Sequence, residues 1–394
     1  MTRPTVQLKP REGRRLRAGA PWVFSNEIAM TATVKALPPG SLVRLVGDDG
    51  REFGTFCFNP KSLIALRRLS PAPEAVIDAD HFAAHFSRAL GIRERFYDSP
   101  FYRLVHAEGD GLPGLTIDRF ADTAVVQVTT AGMEALEREM LAGLDAALSP
   151  ANVILRNDTP SRALEGLDSY VRAAKGEIPP RLALEENGAR YFADLAGGQK
   201  TGWYFDQREN RAFMAALTKG RSVLDAYCYT GGFAVLAAKT GAREVVALDS
   251  SAPALALGEE AAAANKVSSR CRFVKASVFE ELERLAAAKE RFDIVIADPP
   301  PFVRAKKDLE TGAKAYRKLA RLAAGVTAPG GFLLVASCSH NMPEDRFAQE
   351  CALGIGRAGR EPALLRRAGA GPDHPVHPML TETSYLKALV YALN

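Results

Sequence analysis

Two side chains that could carry group-transfer chemistry follow long apolar segments in the second half of the sequence. Asp298 ends the segment FDIVIAD and is followed by three prolines, which remove backbone donors and stiffen the chain beside the carboxylate. Cys338 ends the segment GFLLVASC, and a cysteine combines high nucleophilicity with a usable fraction of thiolate. A cysteine in such a position is by itself more often an inert packing residue. Its chemistry therefore depends on what the neighbouring strands place beside it.

The turn in DAYCYTGGF is a second chemical signal. Its paired glycines, Gly231 and Gly232, let the backbone approach a bound cofactor, and the acid Asp225 precedes them. This order differs from the GxGxxG pattern that binds a pyrophosphate, which an acid would repel. S-adenosylmethionine (SAM) carries an ammonium and a sulfonium group, so the pattern favours SAM over a nicotinamide cofactor. A plain turn between a strand and a helix is the alternative.

Polar residues also end the next two apolar segments. The Asp249 carboxylate could accept both ribose hydroxyls of a cofactor, although the serines after it also suit a helix N-cap. Ser277 stands where a small polar group could meet an adenine edge. The predicted catalytic residues are Cys338 and Asp298. The predicted cofactor-binding residues are Asp225, Tyr227, Gly231, Gly232, Asp249, Ser250, Ser277, Phe205 and Gln207.

These residues belong to a region in which strands and helices alternate, from about residue 186 onward. Its apolar strands are SVLDAY, EVVALDS, RFVKAS, FDIVIAD and GFLLVASC, each followed by a helical segment, with SYLKALVYAL as a final strand. Such near-continuous apolar strands are typical of a parallel sheet that is buried on both faces. Ligands of these sheets bind outside the carboxyl ends of the strands. In the usual order the fourth and fifth strands are neighbours, so we expect Asp298 and Cys338 at one rim.

The earlier part of the sequence predicts two further domains. Residues 1–70 contain short strands separated by turn signals, which suggests a small antiparallel barrel. Residues 71–185 mix strands with amphipathic helices, as in a compact α+β unit. The predicted domains are therefore 1–70, 71–185 and 186–394, which agrees with the two or three domains expected for a chain of 394 residues.

Composition excludes several classes of protein. No apolar run reaches the roughly 18 residues of a membrane span, and the N-terminal segment lacks the apolar core of a secretory signal. Five scattered cysteines form neither a disulfide framework nor a CxxC pair, so we expect a reducing, cytoplasmic location, no metal and no membrane partner. The net charge of +5 is mild, but basic residues cluster in a set that could contact RNA phosphates or form a solvated face. The set is Lys9, Arg11, Arg14, Arg15, Arg17, Arg67 and Arg68.

Eight stretches together resemble the bacterial 23S rRNA cytosine-5 methyltransferase family with an N-terminal PUA domain, a group of class I SAM-dependent methyltransferases. The stretches are PWVFSNEI, FNPKSLIALR, EGDGLPGLTIDRF, GGQKTGWYFDQRENR, DAYCYTGGF, DPPPF, SCSHNM and DHPVHP. The resemblance implies an α/β, Rossmann-like methyltransferase domain preceded by a PUA-type β-barrel and a central α+β domain. It also implies SAM as cofactor, ribosomal RNA as partner and a possible homodimer. Relatives often have a lysine where this chain has Pro301, and many have an aspartate where it has Ser277.

The same resemblance implies roles for single residues. Cys338 would add to C6 of cytosine, which makes C5 reactive toward the methyl group of SAM. Asp298 would hydrogen-bond the N3/N4 edge of the base and stabilise the adduct. In relatives the stretch GGQKTGWYFDQRENR lies near SAM. We therefore expect a lid over the cofactor, formed by Lys200, Phe205, Gln207 and Arg208.

Two other functions stay open. Methyltransferases that act on an exocyclic amine of a nucleobase also use an acid or amide followed by Pro-Pro and an aromatic residue. Here Pro301 displaces Phe302 by one position, and Cys338 would be a spectator in that reaction. The second alternative is a non-enzymatic RNA-binding protein with a relic catalytic fold, which SAM affinity would separate from both enzymes.

Overall fold

The computed structural model describes residues 3–195, 197–198 and 201–394. The chain divides into two compact units. The first comprises the described residues of 1–180, 195–203 and 372–381, and the second those of 181–194, 204–371 and 382–394.

A small barrel forms the N-terminal part of the first unit. Its strands run in the order β1-β3-β4-β5-β2, and a bridge between Leu8 and Ile28 joins the two ends of this order. Strands β1 and β3 are parallel and the other neighbours are antiparallel, so the expected antiparallel barrel has one parallel pair. The elements are β1 (Thr5–Gln7), α1 (Arg14–Arg17), β2 (Trp22–Phe24), α2 (Ala32–Lys35), β3 (Ser41–Val46), β4 (Glu52–Phe58) and β5 (Ile64–Ser70).

A second sheet with two main helices completes the first unit. Its strand order is β10-β9-β8-β7-β6, with one parallel pair, β8 and β9. Gly143 lets α5 approach α3, since a Cβ there would lie 2.5 Å from the Phe82 Cβ. The elements are α3 (Ala79–Arg93), β6 (Phe101–His106), β7 (Leu115–Phe120), β8 (Thr123–Val128), α4 (Ala131–Ala135), α5 (Glu137–Leu148), β9 (Asn152–Asn157) and β10 (Tyr170–Lys175).

The second unit begins with the predicted hairpin and continues as a layered α/β sheet. The hairpin is β11 (Leu182–Glu186) and β12 (Ala189–Ala193). The following elements are α6 (Arg208–Ala215), β13 (Ser222–Ala226), α7 (Gly232–Lys239), β14 (Glu244–Asp249), α8 (Ala252–Ala264), β15 (Cys271–Lys275), α9 (Val278–Ala287), β16 (Phe292–Ala297), α10 (Leu309–Val326), β17 (Thr327–Ser337), α11 (Glu344–Arg357), β18 (Pro362–Ala368) and β19 (Lys387–Leu393).

The sheet of the second unit has the order β15-β14-β13-β16-β17-β19-β18 among the described residues. The strands from β15 to β17 are parallel, as predicted, and the apolar side chains of Leu224, Val295 and Leu333 are buried in the core beside α10. The final strand β19 runs antiparallel to β17, and β18 runs antiparallel to β19. This edge differs from a uniformly parallel sheet. No helix in the described part of the chain is both long and apolar enough to cross a bilayer.

Candidate active site

The residues predicted from strand ends lie along one edge of the sheet in the second unit. Parallel pairing places the carboxyl ends of β15, β14, β13, β16 and β17 side by side. Ala297 pairs with Val335, so Asp298 and Cys338 follow adjacent strands at the same rim. The strand order reverses between β13 and β16, which is the switch point where ligands of open α/β sheets bind.

The two serines around Cys338 explain how this residue is oriented. Ser337 donates a hydrogen bond to the Tyr316 hydroxyl at 2.8 Å, and the hydroxyls of Tyr316 and Ser339 are also 2.8 Å apart. All three side chains are buried, whereas Cys338 is partly exposed. Successive side chains of an extended chain point to opposite sides. We call Tyr316, Ser337 and Ser339 the hydroxyl cluster. It anchors the backbone on both sides of the thiol.

The hydroxyl cluster also holds the loop that follows Asp298. The backbone amide of Val303 donates to the Ser339 hydroxyl at 3.2 Å, and that of Phe302 reaches the Tyr316 hydroxyl at 3.5 Å. The Phe302 ring packs against Tyr316 with the ring centroids 4.8 Å apart. One buried group of hydroxyls therefore fixes both loops of the rim, the one after β16 and the one after β17.

Gln207 contacts the predicted catalytic carboxylate. Its Nε2 donates to Asp298 Oδ2 at 2.9 Å, and its Oε1 accepts a hydrogen bond from Asn210 at 2.7 Å. This arrangement lets Gln207 orient Asp298, and its contact with the cofactor stays a prediction. Phe205 is only 1% exposed, and the guanidinium of Arg208 lies 5.4 Å from its ring centroid. The predicted lid is thus well packed, and its member Lys200 lies outside the described residues.

Tyr204 is a further group close to both predicted catalytic residues. Burial raises the pKa of its phenol, and negative charges on Tyr229, Asp206, Asp298 and Cys338 act in the same direction. Its ring also makes an edge contact with Tyr229, with centroids 5.3 Å apart. The phenol therefore stays neutral at physiological pH and lies within electrostatic reach of the rim.

Asp225 is a buried carboxylate that forms no ion pair among the described residues, and the nearby positive charge of Arg211 favours its ionised form less than burial disfavours it. Its Oδ2 accepts a hydrogen bond from the Ala234 amide at 2.9 Å, at the start of α7. Its Oδ1 is buried and has no hydrogen-bond partner in the part of the chain that the structure describes. Burial raises the pKa of Asp225 to about 7, so the ionised form needs compensation from outside the group. A cofactor that carries an ammonium group would provide it.

The turn after β13 has the backbone shape of a cofactor loop. Tyr227, Tyr229 and Gly231 have φ values of 67°, 49° and 77°, in the left-handed region that side chains disfavour. A Cβ on Gly232 would lie 2.6 Å from Arg211 Nε, so the helix start has no room for a side chain. Strain of this kind is retained where a particular backbone shape is needed.

Asp249 stabilises the same turn from the end of β14. Its Oδ2 accepts from the Tyr229 amide at 2.9 Å and its Oδ1 from the Ser251 amide at 2.8 Å. Each carboxylate oxygen keeps a second lone pair for a ribose hydroxyl, and Asp249 is partly exposed. Ser251, rather than Ser250, is the side-chain N-cap of α8, and Ser250 is exposed.

The residues at this edge fit SAM in three respects. The unpartnered oxygen of Asp225 suits a cation, the strained glycine turn permits close backbone approach, and the partly exposed Asp249 offers acceptors for a ribose. Ser277 is exposed at the start of α9 and makes no capping hydrogen bond, so it is sterically open to an adenine edge. Tyr227 is half-buried beside the core.

Several functional groups could not be identified from sequence alone. Tyr316 comes from the middle of α10 and Lys387 from the start of β19, far from the predicted motifs. The pattern Ser-Cys-Ser around Cys338 hinted at a partner such as Tyr316, because two hydroxyls beside a buried strand end require partners. It gave no signal for Lys387, which bonds the Ser339 carbonyl.

Comparisons with known proteins identify the family and the domain types of this chain. A family model described as S-adenosylmethionine-dependent methyltransferase matches residues 162–391, and a model of a PUA-like domain matches residues 6–71. Two curated proteins named ribosomal RNA large subunit methyltransferase I are similar over 98% of this chain and 98% of their own length. The protein from Shewanella denitrificans is 37% identical and that from Shewanella frigidimarina is 36% identical.

Two solved structures share the fold. A protein described as a SAM-dependent methyltransferase from Streptococcus mutans has a TM-score of 0.83 at 21% identity, covering 99% of this chain and 100% of its own. A second, described as a methyltransferase complexed with SAH, has a TM-score of 0.84 at 22% identity over 100% of both chains. The expected α/β methyltransferase architecture with a PUA-like N-terminal domain is therefore confirmed.

Proposed function

We propose a reaction on the premise that the chain belongs to the S-adenosylmethionine-dependent methyltransferase family, alongside the proteins named ribosomal RNA large subunit methyltransferase I. The reaction is methylation of carbon 5 of a cytosine in large-subunit ribosomal RNA. SAM supplies the electrophilic methyl group. Cys338 is the nucleophile and Asp298 the residue that contacts the base.

One observation carries this proposal. Cys338 follows β17 and Asp298 follows β16, and the hydroxyl cluster fixes the loops that carry both residues. The flanking serines point into the buried cluster while the thiol is partly exposed. A cysteine that served only as packing would not need two buried hydroxyls to direct it away from the core.

Cys338 makes an unreactive carbon reactive. Carbon 5 of cytosine is a poor nucleophile, but addition of the thiolate to C6 shifts the C5–C6 π electrons to C5. After methyl transfer, a base removes the C5 proton, the C5–C6 double bond forms again, and the S–C6 electron pair returns to sulfur. A water molecule is our candidate for that base.

Asp298 stabilises the adduct at the opposite edge of the base. It would contact N3 and the exocyclic N4 either in its protonated form or while sharing a proton with N3, which balances the electron density that the thiolate adds. Gln207 fixes one oxygen of Asp298 at 2.9 Å, so the orientation of the carboxyl group is set before substrate arrives. Such preorganisation lowers the cost of reaching the transition state.

The first unit supplies features that suit RNA. It contains the PUA-like barrel, and Arg14 and Arg15 are exposed on α1. Arg67, by contrast, is partly buried and lies 3.0 Å from the buried Glu165. The phosphate contacts that we propose come from the exposed surface of α1, and Arg67 has a structural role.

The rival reaction on an exocyclic amine is disfavoured by the environment of Phe302. That reaction needs the aromatic residue after Pro-Pro to stack on the flipped base. Here the Phe302 ring is partly buried between Tyr316 and Phe279, with centroids 4.8 and 6.0 Å away. Its ring belongs to the core of the sheet, which leaves Cys338 as the more suitable reactive group.

The decisive experiment combines a variant with a chemical trap. We expect Cys338→Ala to abolish methyl transfer to ribosomal RNA while calorimetry still detects SAM binding. RNA containing 5-fluorocytidine at the target should give a covalent adduct at Cys338. A base can remove a proton from C5 but cannot remove fluorine as a cation, so the elimination that breaks the S–C6 bond is blocked. The matched control is Cys271→Ala, a partly buried thiol on the edge strand β15 of the same sheet. Retained turnover in Cys338→Ala would reject the adduct.

Further experiments test the cellular role and the remaining proposals. Bisulfite sequencing of ribosomal RNA from cells lacking this protein should show one cytosine that loses its protection. Absence of saturable SAM binding would favour a non-enzymatic RNA-binding protein with a relic fold. Light scattering tests the proposed homodimer, and fractionation tests the cytoplasmic location. The three-domain division 1–70, 71–185 and 186–394 is proposed as well, and limited proteolysis tests it.

A further inference from the structure

Lys387 is a buried cation beside the strand that carries Cys338. It begins β19 and pairs with Ser337 in the antiparallel register of β17 and β19. Its side chain is 7% exposed, and its Nζ donates a hydrogen bond to the Ser339 carbonyl at 2.8 Å. The ammonium group therefore lies against the backbone of the residue that follows the thiol.

The position of Lys387 is costly unless a negative charge compensates it. Burying an ammonium group without an anionic partner is strongly unfavourable. In the described part of the chain the hydrogen bond to the Ser339 carbonyl is its contact, and no carboxylate forms an ion pair with it. Burial lowers the pKa of Lys387, while negative charges on Cys338 and Glu344 raise it. A thiolate at Cys338 is thus an anion within electrostatic reach of the ammonium.

We propose that Lys387 is a positioning residue that holds Cys338 as a thiolate and fixes the backbone on which the thiol is carried. The proposal rests on the function proposed above, because it gives the thiolate a role in catalysis. It adds a residue from outside the motifs by which the site was recognised. A neighbouring cation favours a thiolate both before attack on C6 and again when the S–C6 bond breaks.

Other charged and titratable groups near the thiol also decide whether a thiolate is favoured at Cys338. Asp298 on the adjacent strand end would, when ionised, disfavour a thiolate. The phenols of Tyr204 and Tyr316 have pKa values raised by burial and stay neutral. His340 follows closely in sequence, and its ring contacts Tyr385 with centroids 5.1 Å apart. Lys387 supplies the positive charge that opposes the carboxylate.

The pH dependence of Cys338 alkylation measures this effect directly. The full-length protein is treated with iodoacetamide between pH 6 and 10, and modification of the peptide containing Cys338 is followed by mass spectrometry. Lys387→Gln keeps a donor for the Ser339 carbonyl but removes the charge, and Lys387→Arg keeps the charge. The control Lys314→Met removes an exposed charge from α10 of the same unit.

We expect the midpoint of the Cys338 profile to move to higher pH in Lys387→Gln. The thiolate fraction at pH 7 should fall roughly tenfold, as expected for the loss of an opposite charge close to a titrating group. Lys387→Arg and Lys314→Met should leave the midpoint near that of the wild type. Turnover of Lys387→Gln should fall in proportion at pH 7 and recover as the pH rises. A merely structural role would not give this recovery.

Cysteines elsewhere in the same molecule report whether the variants fold. Burial raises the pKa of Cys271 to about 11, and Cys57 and Cys351 are buried, so none should react faster in a folded variant. If these cysteines become reactive in Lys387→Gln, the variant has not folded, and the pH profile of the wild-type protein alone tests the proposal. A wild-type midpoint at or above about 8.5, the ordinary value for a thiol, overturns the proposal. An unchanged midpoint in folded Lys387→Gln overturns it as well.

The outcomes separate this inference from the proposed function. If Cys338→Ala retains turnover but Lys387→Gln shifts the alkylation profile, the electrostatic pairing stands and the cytosine-5 reaction fails. If the 5-fluorocytidine adduct forms at Cys338 but Lys387→Gln leaves the profile unchanged, the reaction stands and the role of Lys387 fails.

Discussion

The hydroxyl of Tyr316 is the most informative single group to remove, because it joins both loops of the site. Tyr316→Phe deletes this oxygen and leaves the ring in place. The variant therefore creates almost no cavity, and the core of the sheet keeps its packing. The 3.5 Å contact from the Phe302 amide is lost, but the main loss is that of the two hydrogen bonds with Ser337 and Ser339, each 2.8 Å long.

The size of the effect follows from those two bonds. A buried hydrogen bond contributes about 1 kcal/mol net, and an unsatisfied buried hydroxyl costs about 1–3 kcal/mol. Ser339 keeps the Val303 amide as a partner and Ser337 keeps the Ser339 amide, so the loss is partly compensated. We expect the free energy of unfolding to fall by about 2 kcal/mol.

Catalysis should suffer more than stability. Without the Tyr316 hydroxyl, the loops after β16 and β17 lose their common anchor, and the thiol and carboxylate can shift independently. Displacement of a reacting group by about 1 Å costs on the order of a hundredfold in rate. We expect kcat to fall roughly ten- to hundredfold, with unchanged SAM affinity, because Asp225 and Asp249 have no hydrogen bond to this cluster.

The assay pairs urea unfolding with turnover on ribosomal RNA. The control is Tyr391→Phe, which removes a hydroxyl from the same core where it makes no hydrogen bond among the described residues. This control should change stability by less than about 0.5 kcal/mol and leave kcat unaltered. Equal behaviour of Tyr316→Phe and Tyr391→Phe would refute the anchoring role of the hydroxyl cluster.

Two other predictions concern the cofactor half of the site. Burial raises the pKa of Asp225 from 3.8 in the unfolded chain to about 7 in the folded protein. The protonated group therefore stabilises the fold fully below pH 3.8, and this stabilisation is lost as the pH rises to about 7. Urea unfolding at several pH values should show this dependence in the wild type but not in Asp225→Asn. A Cβ in Gly232→Ala would lie 2.6 Å from Arg211 Nε, so calorimetry should show weakened SAM binding. The control Gly356→Ala, whose Cβ would have nothing within 4 Å, should leave SAM binding unchanged and the fold equally or slightly more stable. Equal SAM affinities in the two alanine variants would contradict this account of the turn.

The parallel part of the sheet could be predicted because its strands are apolar on both faces. The same rule did not reveal β18, since Leu364 and Leu365 are exposed and its sequence has no regular alternation. The direction of β19 could not be predicted either. A buried interior strand has the same composition whether it runs parallel or antiparallel to its neighbour.

The site was predictable where it depends on strand ends and unpredictable where it depends on contacts between distant segments. Asp298 and Cys338 follow from the rule that ligands bind at the carboxyl edge of the sheet. The hydrogen bond from the Gln207 amide to Asp298 joins segments far apart in sequence, and no local pattern predicted it. Tyr316 and Lys387 act only through tertiary contacts, and their local sequences contain no motif.

The insertion of β19 between β17 and β18 has a consequence for biosynthesis. The strand pairs with both neighbours, although it follows them in sequence. The edge of β17 therefore remains open until residues 387–393 have left the ribosome. Open strand edges invite pairing with other chains, so a translation product that stops before Lys387 should aggregate as well as lack activity. Slow synthesis through residues 338–386 would prolong exposure of that edge.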